Sequence, residues 1–251
     1  MPAYPLRALV LRKTKLGETD TILTLLAEDG RQVRAVAKGL RKPGGRFGGR
    51  LEPYAVADLL LHTGRSLDVV SEARTVTTHA GLRQDFDRSA AAAVVADLLD
   101  KISVEGQTEE RLFALATTTL DVMESAVPDA LHALVVAFLG KAMAMHGYRP
   151  QLDACACCAS EVGESSSFSV ASGGALCDGC AELDGSAVRF GPEGRAWLQA
   201  LMAARMAEVP GMGMPPQAVA DCFALLRAFI TYHVPARLRA LDFYAAQIPQ
   251  G

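Results

Sequence analysis

"DTILTLLAEDGRQVRAVAKG", residues 20–39, decides the fold. It reads as two strands joined at Asp29-Gly30, a dipeptide suited to the backbone of a tight hairpin. Upstream, "LRALVLRKTK" (6–15) is strand-like and apolar, and downstream "YAVADLLLHTGRSLDVVSEARTV" (54–76) repeats the hairpin pattern around Thr63-Gly64. That makes five strands within residues 5–78, with one long Gly-rich connection, "GLRKPGGRFGGRLEP" (39–53), between the third and the fourth. The arrangement suits a small β-barrel of the OB type. An SH3-like barrel fits the strand count nearly as well.

Charge singles out the same region. Residues 31–50 carry Arg31, Arg34, Lys38, Arg41, Lys42, Arg46 and Arg50 without one carboxylate, in a chain whose formal net charge is −3. The first 50 residues hold eleven Lys or Arg against four acids, a balance of +7, so the other 201 carry −10. Segregation of this kind points to a polyanion meeting the basic end. The bland reading is a solvated loop whose charges only keep it soluble.

With 251 residues and 50% hydrophobic composition, the chain can bury a substantial core. Its first residues do not have the form of a signal peptide, and the most apolar stretch, "LHALVVAFLGKAMAMHG" (131–147), is interrupted by Lys141 and two histidines. These features read as a cytoplasmic protein. After Gly81 the texture becomes Ala- and Leu-rich with helical periodicity, giving helices within 88–103, 108–126 and 128–148, then within 192–209, 215–234 and 236–247. The expected class is α+β and multidomain: an OB-fold barrel over 1–80, a helical domain in two parts, 81–150 and 190–251, and an insert rich in Ser, Gly and Cys over 151–189.

Five of the six cysteines fall in that insert. Cys155/Cys158 and Cys177/Cys180 form two C-x2-C pairs, the spacing of a four-thiolate zinc site. Each pair puts two soft ligands on one tight turn, and two turns fill a tetrahedral cation's coordination shell. With four thiolates no position is left for a reactive water, so such a zinc would be structural. Cys157 is a further thiol inside the first pair and could replace a neighbour. A redox dithiol lacks its strand-to-helix setting here, and iron–sulfur spacings are not matched.

Catalytic motifs are missing from the sequence. "GLRKPGG" has the glycine outline of a phosphate loop, but Gly45 stands where the lysine is needed and no Ser or Thr follows. The five histidines are scattered, with no nucleophile elbow or zinc-protease helix among them. The expectation is a protein that is not an enzyme.

The barrel with its basic loop, the helical domain and the four-cysteine insert occur together. On "ALVLRKTKLGETDTILTLL", "AKGLRKPGGRFGGRLEPYAVADLLL", "HAGLRQDFDR", "GYRPQLDACACC" with "CDGC", and "RLRALDFY", the chain resembles the RecO family of bacterial recombination mediators along nearly its whole length. The resemblance implies binding of single- and double-stranded DNA and annealing of complementary strands. It also implies partnership with RecR and with the C-terminal tail of the single-strand-binding protein, in delivering DNA to RecA, and hence a nucleoid-associated location. Lys141 and Arg149 are candidates to meet the acidic tail. The barrel offers few aromatics, Tyr4, Phe47 and Tyr54, so phosphate contacts should outweigh base stacking. Two rival readings are a zinc-stabilised adaptor that recognises only protein, and an RNA-binding protein, since "GGRFGGR" also looks like an Arg-Gly segment.

Overall fold

The computed structural model describes residues 2–248 except 43, 44, 46, 48, 165 and 166. The chain divides into two compact units, Met1–Glu124 and Ser125–Gly251.

In the first unit, five strands close a barrel: β1 (Ala3–Leu16), β2 (Asp20–Ala27), β3 (Gln32–Ala37), β4 (Val56–His62) and β5 (Asp68–Thr77). Round the barrel the order is β1-β2-β3-β5-β4. Strand β4 returns to pair with β1 instead of continuing the meander, and β5 closes on β3 in parallel through Ala35↔Asp68 and Val36↔Val69. This Greek-key closure is OB-like and decides between the two barrels that the strand count allowed. The long β1 serves two neighbours, pairing with β4 over Ala3 to Leu9 and with β2 over Ala8 to Leu16. A register shift between Val10 and Arg12 bends it across the corner.

Alternation fills the barrel. Leu23, Leu25 and Ala27 of β2, Val33, Ala35 and Ala37 of β3, and Ala57, Leu59 and Leu61 of β4 all point inward and are buried. Leu9 and Leu26 are register partners outside that core and are buried as well, because helix α2 (Phe86–Ile102) packs on β1 and β2. Gly30 is obligatory at the hairpin: its φ is +86°, and a Cβ there would stand 2.1 Å from the Glu109 carbonyl oxygen. The short helix α1 (Ala80–Gln84) and α3 (Glu110–Ser125) complete the helical layer. His79, 1% exposed, staples them: Nδ1 lies 2.6 Å from the Tyr54 carbonyl oxygen and Nε2 2.8 Å from Asp121 Oδ1.

The second unit is built round α4 (Leu131–Met145), which packs against α6 (Pro192–Ala203) and α7 (Pro216–His233). The stretch Pro128–Met145 is long and apolar enough to cross a membrane, but 67% of it is buried, as befits a core helix. Lys141 Nζ donates to the carbonyls of Met202 and Ala204, both at 2.7 Å, capping the C-terminal end of α6. Helix α8 (Arg239–Tyr244) is the last α-helix of the described residues and is followed by a 3-10 turn over Ala245–Gln247; Tyr244 is buried, its hydroxyl 2.9 Å from His132 Nδ1. Between α4 and α6 lies a small module of β6 (Ser167–Ser169), β7 (Gly174–Leu176), β8 (Val188–Arg189) and the single-turn helix α5 (Asp178–Ala181). Phe168 anchors it edge-on against Phe190 and Phe229, with both centroid distances 6.1 Å.

Candidate nucleic-acid interface and metal site

The basic stretch spans β3 and the connection that follows it. Arg34 projects from the middle of β3 opposite Thr24, and Lys38, Arg41, Lys42 and Arg50 are exposed beyond it. Arg31 is half-buried and engaged: Nε lies 2.9 Å from Asp29 Oδ2, and the guanidinium stands 6.0 Å from the centre of the Tyr4 ring. Arg46 lies outside the described residues.

The connection is held from beneath. Phe47, 2% exposed, and Leu51 drop into the barrel core, so the segment carrying the cations is plugged into the fold. A Cβ on Gly45 would come 2.7 Å from the Gly39 carbonyl oxygen, which is why the loop can fold back on itself only with glycine there. Asp20 pins the other end, accepting the Gly39 amide at 2.8 Å and the Thr19 hydroxyl at 3.1 Å. Those two bonds, helped by the charges of Lys38 and Lys42, hold its carboxyl below the usual range. Beside it a cleft of about 620 Å³ is lined by Lys38, Lys42, Phe47 and Ser71 among others.

None of the barrel's sparse aromatics offers an exposed stacking face. Phe47 and Tyr54 are buried, and Tyr4 is half-buried with its hydroxyl donated to Asp68. The geometry is that of a cationic strip over a plugged barrel, suited to phosphates. The anchoring role of Phe47 and the His79 staple both escape sequence reading. An aromatic among glycines and a histidine before a helix carry no local sign of burial.

In the second unit the structure brings Cys155, Cys158, Cys177 and Cys180 together, with all four sulfurs within 4.8 Å of one another and Cys158 Sγ 3.6 Å from Cys177 Sγ. A tetrahedral Zn–S shell with bonds of about 2.3 Å implies S···S separations of about 3.8 Å, so the donor set fits that metal. Burial works against ionisation of Cys155, but the amides of Cys177, Cys158 and Cys157 outweigh it and bring the thiol down to about 6. Cys177 is lowered by the amide of Cys180 and the hydroxyl of Ser160. Cys180 is pushed up, through hydrogen bonds to the sulfurs of Cys158 and Cys177. A cluster with amides arranged for thiolates, yet too crowded for all four to ionise alone, is chemically matched to a cation. Cys157 stands apart, its thiol 3.6 Å from Ser172 Oγ, and Cys222 is buried in α7.

An OB-like barrel with a cationic strip, joined to a helical unit that carries a four-cysteine cluster, defines a class of two-part protein with one cation-rich surface and one cluster of metal-binding geometry. The chain belongs to the RecO family of DNA repair proteins. The family model "Recombination protein O N terminal" matches residues 1–79, and "Recombination protein O C terminal" matches 83–242. The chain is 31% identical over 244 residues to "DNA repair protein RecO" of Desulforamulus reducens, covering 97% of this chain and 94% of the relative. It is 35% identical over 240 residues to the protein of the same name from Rubrobacter xylanophilus, covering 94% of each. With that from Frankia casuarinae it shares 36% identity over 252 residues, covering 97% of this chain and 98% of the relative.

Proposed function

We propose that this protein is a cytoplasmic, nucleoid-associated recombination mediator that binds single- and double-stranded DNA and anneals complementary strands. With RecR it would help load RecA onto DNA coated by the single-strand-binding protein. The observation that carries this reading is the run of exposed cations, Arg34, Lys38, Arg41, Lys42 and Arg50, on a barrel of OB-like order. Neutralising phosphates on two strands at once lowers the repulsion that keeps them apart, and this needs no covalent step. The protein therefore acts by binding, not as an enzyme.

Cys155, Cys158, Cys177 and Cys180 would hold one zinc ion, whose role is to fold the module. The helical unit would receive the protein partners, RecR and the tail of the single-strand-binding protein. Lys141 is an unsuitable anchor for that tail because its ammonium is spent on the end of α6. Annealing of complementary oligonucleotides should run at the same rate with and without ATP, and fall steeply with added salt. A strict nucleotide requirement, or annealing indifferent to salt, would overturn the reading.

A further inference from the structure

The second unit has a cavity of 460 Å³ between the four-cysteine module and the end of α7 that the proposed function leaves unused. Its wall includes Tyr148, Arg149, Gln151, Ser172, Phe229 and His233. The rings form a platform: His233 lies 4.6 Å from Tyr148 at an interplanar angle of 32° and 4.4 Å from Phe229. Tyr148 is 38% exposed and lines the cavity, with His146 a second, looser ring neighbour at 5.6 Å, so part of its ring is accessible to a ligand. The platform is held by its backbone, with the Tyr148 amide donating to the Met143 carbonyl at 2.8 Å and the Gln151 amide to that of Gly173 at 2.9 Å.

Charge is distributed unevenly about this cavity. The second unit holds eight Lys or Arg against eleven Asp or Glu, yet among the described residues no carboxylate lines the cavity, and Arg149 stands exposed at it. An exposed aromatic face beside a guanidinium, with an amide and a hydroxyl nearby, matches one unpaired nucleotide: base on Tyr148, phosphate on Arg149, base edge toward Gln151 or Ser172. A purely apolar anchor, such as the side chain at the end of a peptide, would favour a wall with fewer polar groups.

We infer that this cavity is a second nucleic-acid contact, taking a single-stranded nucleotide by stacking on Tyr148 and ion pairing with Arg149. The inference rests on the proposed DNA-binding function and adds to it a stacking element that the barrel lacks. Stacking tolerates any base, so the contact would hold a strand in register without reading its sequence.

The test uses the full-length protein and a fluorescent oligothymidylate, with binding followed by anisotropy at several salt concentrations. Tyr148→Ala should weaken binding about tenfold with the salt slope unchanged, while Tyr148→Phe, which keeps the ring, should bind as wild type. Arg149→Gln should lower the slope by about 0.7. Zinc content and circular dichroism confirm that each variant is folded. Folded Tyr148→Ala and Arg149→Gln proteins with wild-type affinity and slope would overturn the inference. So would an acidic peptide with a C-terminal aromatic that binds wild type and not Tyr148→Ala while oligonucleotide binding stays unchanged, since the cavity would then be a peptide site. Replacing the barrel cations Arg34, Lys38, Arg41 and Lys42 in parallel separates the two readings. If that variant keeps the wild-type slope, the barrel reading fails, whatever the cavity variants show.

Discussion

Two residues carry more of the architecture than their surroundings suggest. Phe47 sits among glycines and arginines, yet it is buried in the barrel and fixes the loop that bears the cations. Truncating a buried phenylalanine removes its contacts and leaves a void, so Phe47→Ala should cost about 3–5 kcal/mol. Urea unfolding of the variant should show that loss; a midpoint equal to wild type would mean that the ring does not hold the loop down. Ala159 is the second. It follows Cys158 with φ +60°, a left-handed conformation that a Cβ resists. Ala159→Gly should relieve strain of about 1 kcal/mol, seen as slower loss of zinc to a chelator. Faster loss would show that the methyl group packs favourably there.

Between elements, register is fixed by charge as well as by apolar alternation. Asp58 on β4 lies directly opposite Arg7 on β1 and Arg74 on β5, and it pairs with Arg7 Nε at 2.7 Å and Arg74 Nη2 at 2.8 Å. These two guanidiniums, Arg7 first, hold the Asp58 carboxyl down at about 2. A folded value below the unfolded one, about 3.9, means that the stabilisation is complete above the unfolded value and is lost as pH falls through the folded value. The pair is exposed, so the effect is small. Asp58→Asn should flatten the decline of the urea midpoint between about pH 4 and pH 2; an unchanged decline would place the acid sensitivity elsewhere. Much of this level is legible in sequence. Asp29-Gly30, the alternating runs and the paired C-x2-C spacing each state a local rule, and the strands, the hairpin and the clustered sulfurs follow them. What sequence hides depends on contacts made at long range. The parallel closure of β3 on β5, His79 bridging Tyr54 and Asp121, and Lys141 capping α6 join residues from about 25 to 63 positions apart by principles that no local pattern encodes.

At the level of the whole molecule, the division into two units separates two physical tasks. The barrel unit concentrates exposed positive charge on one strand and its following loop, while the other unit collects thiols and a polar, aromatic cavity. If the barrel strip meets DNA, each cation that neutralises a phosphate releases condensed counterions. The logarithm of affinity then falls with the logarithm of salt by about 0.7 per contact on single strands and about 0.9 on duplex. Replacing Arg34, Lys38, Arg41 and Lys42 with Ala should therefore lower the single-strand slope by about 3. Arg31→Ala should change it less, because Asp29 already occupies that guanidinium. Preference among base sequences should stay as it is, since phosphate contacts position a strand without reading it. Zinc content and melting temperature should also remain close to wild type, because the four side chains are exposed while Phe47 and Leu51, which hold the loop to the barrel, are untouched. A fourfold variant that is folded, zinc-loaded and still shows the original salt slope would reduce the cationic strip to a solvated surface.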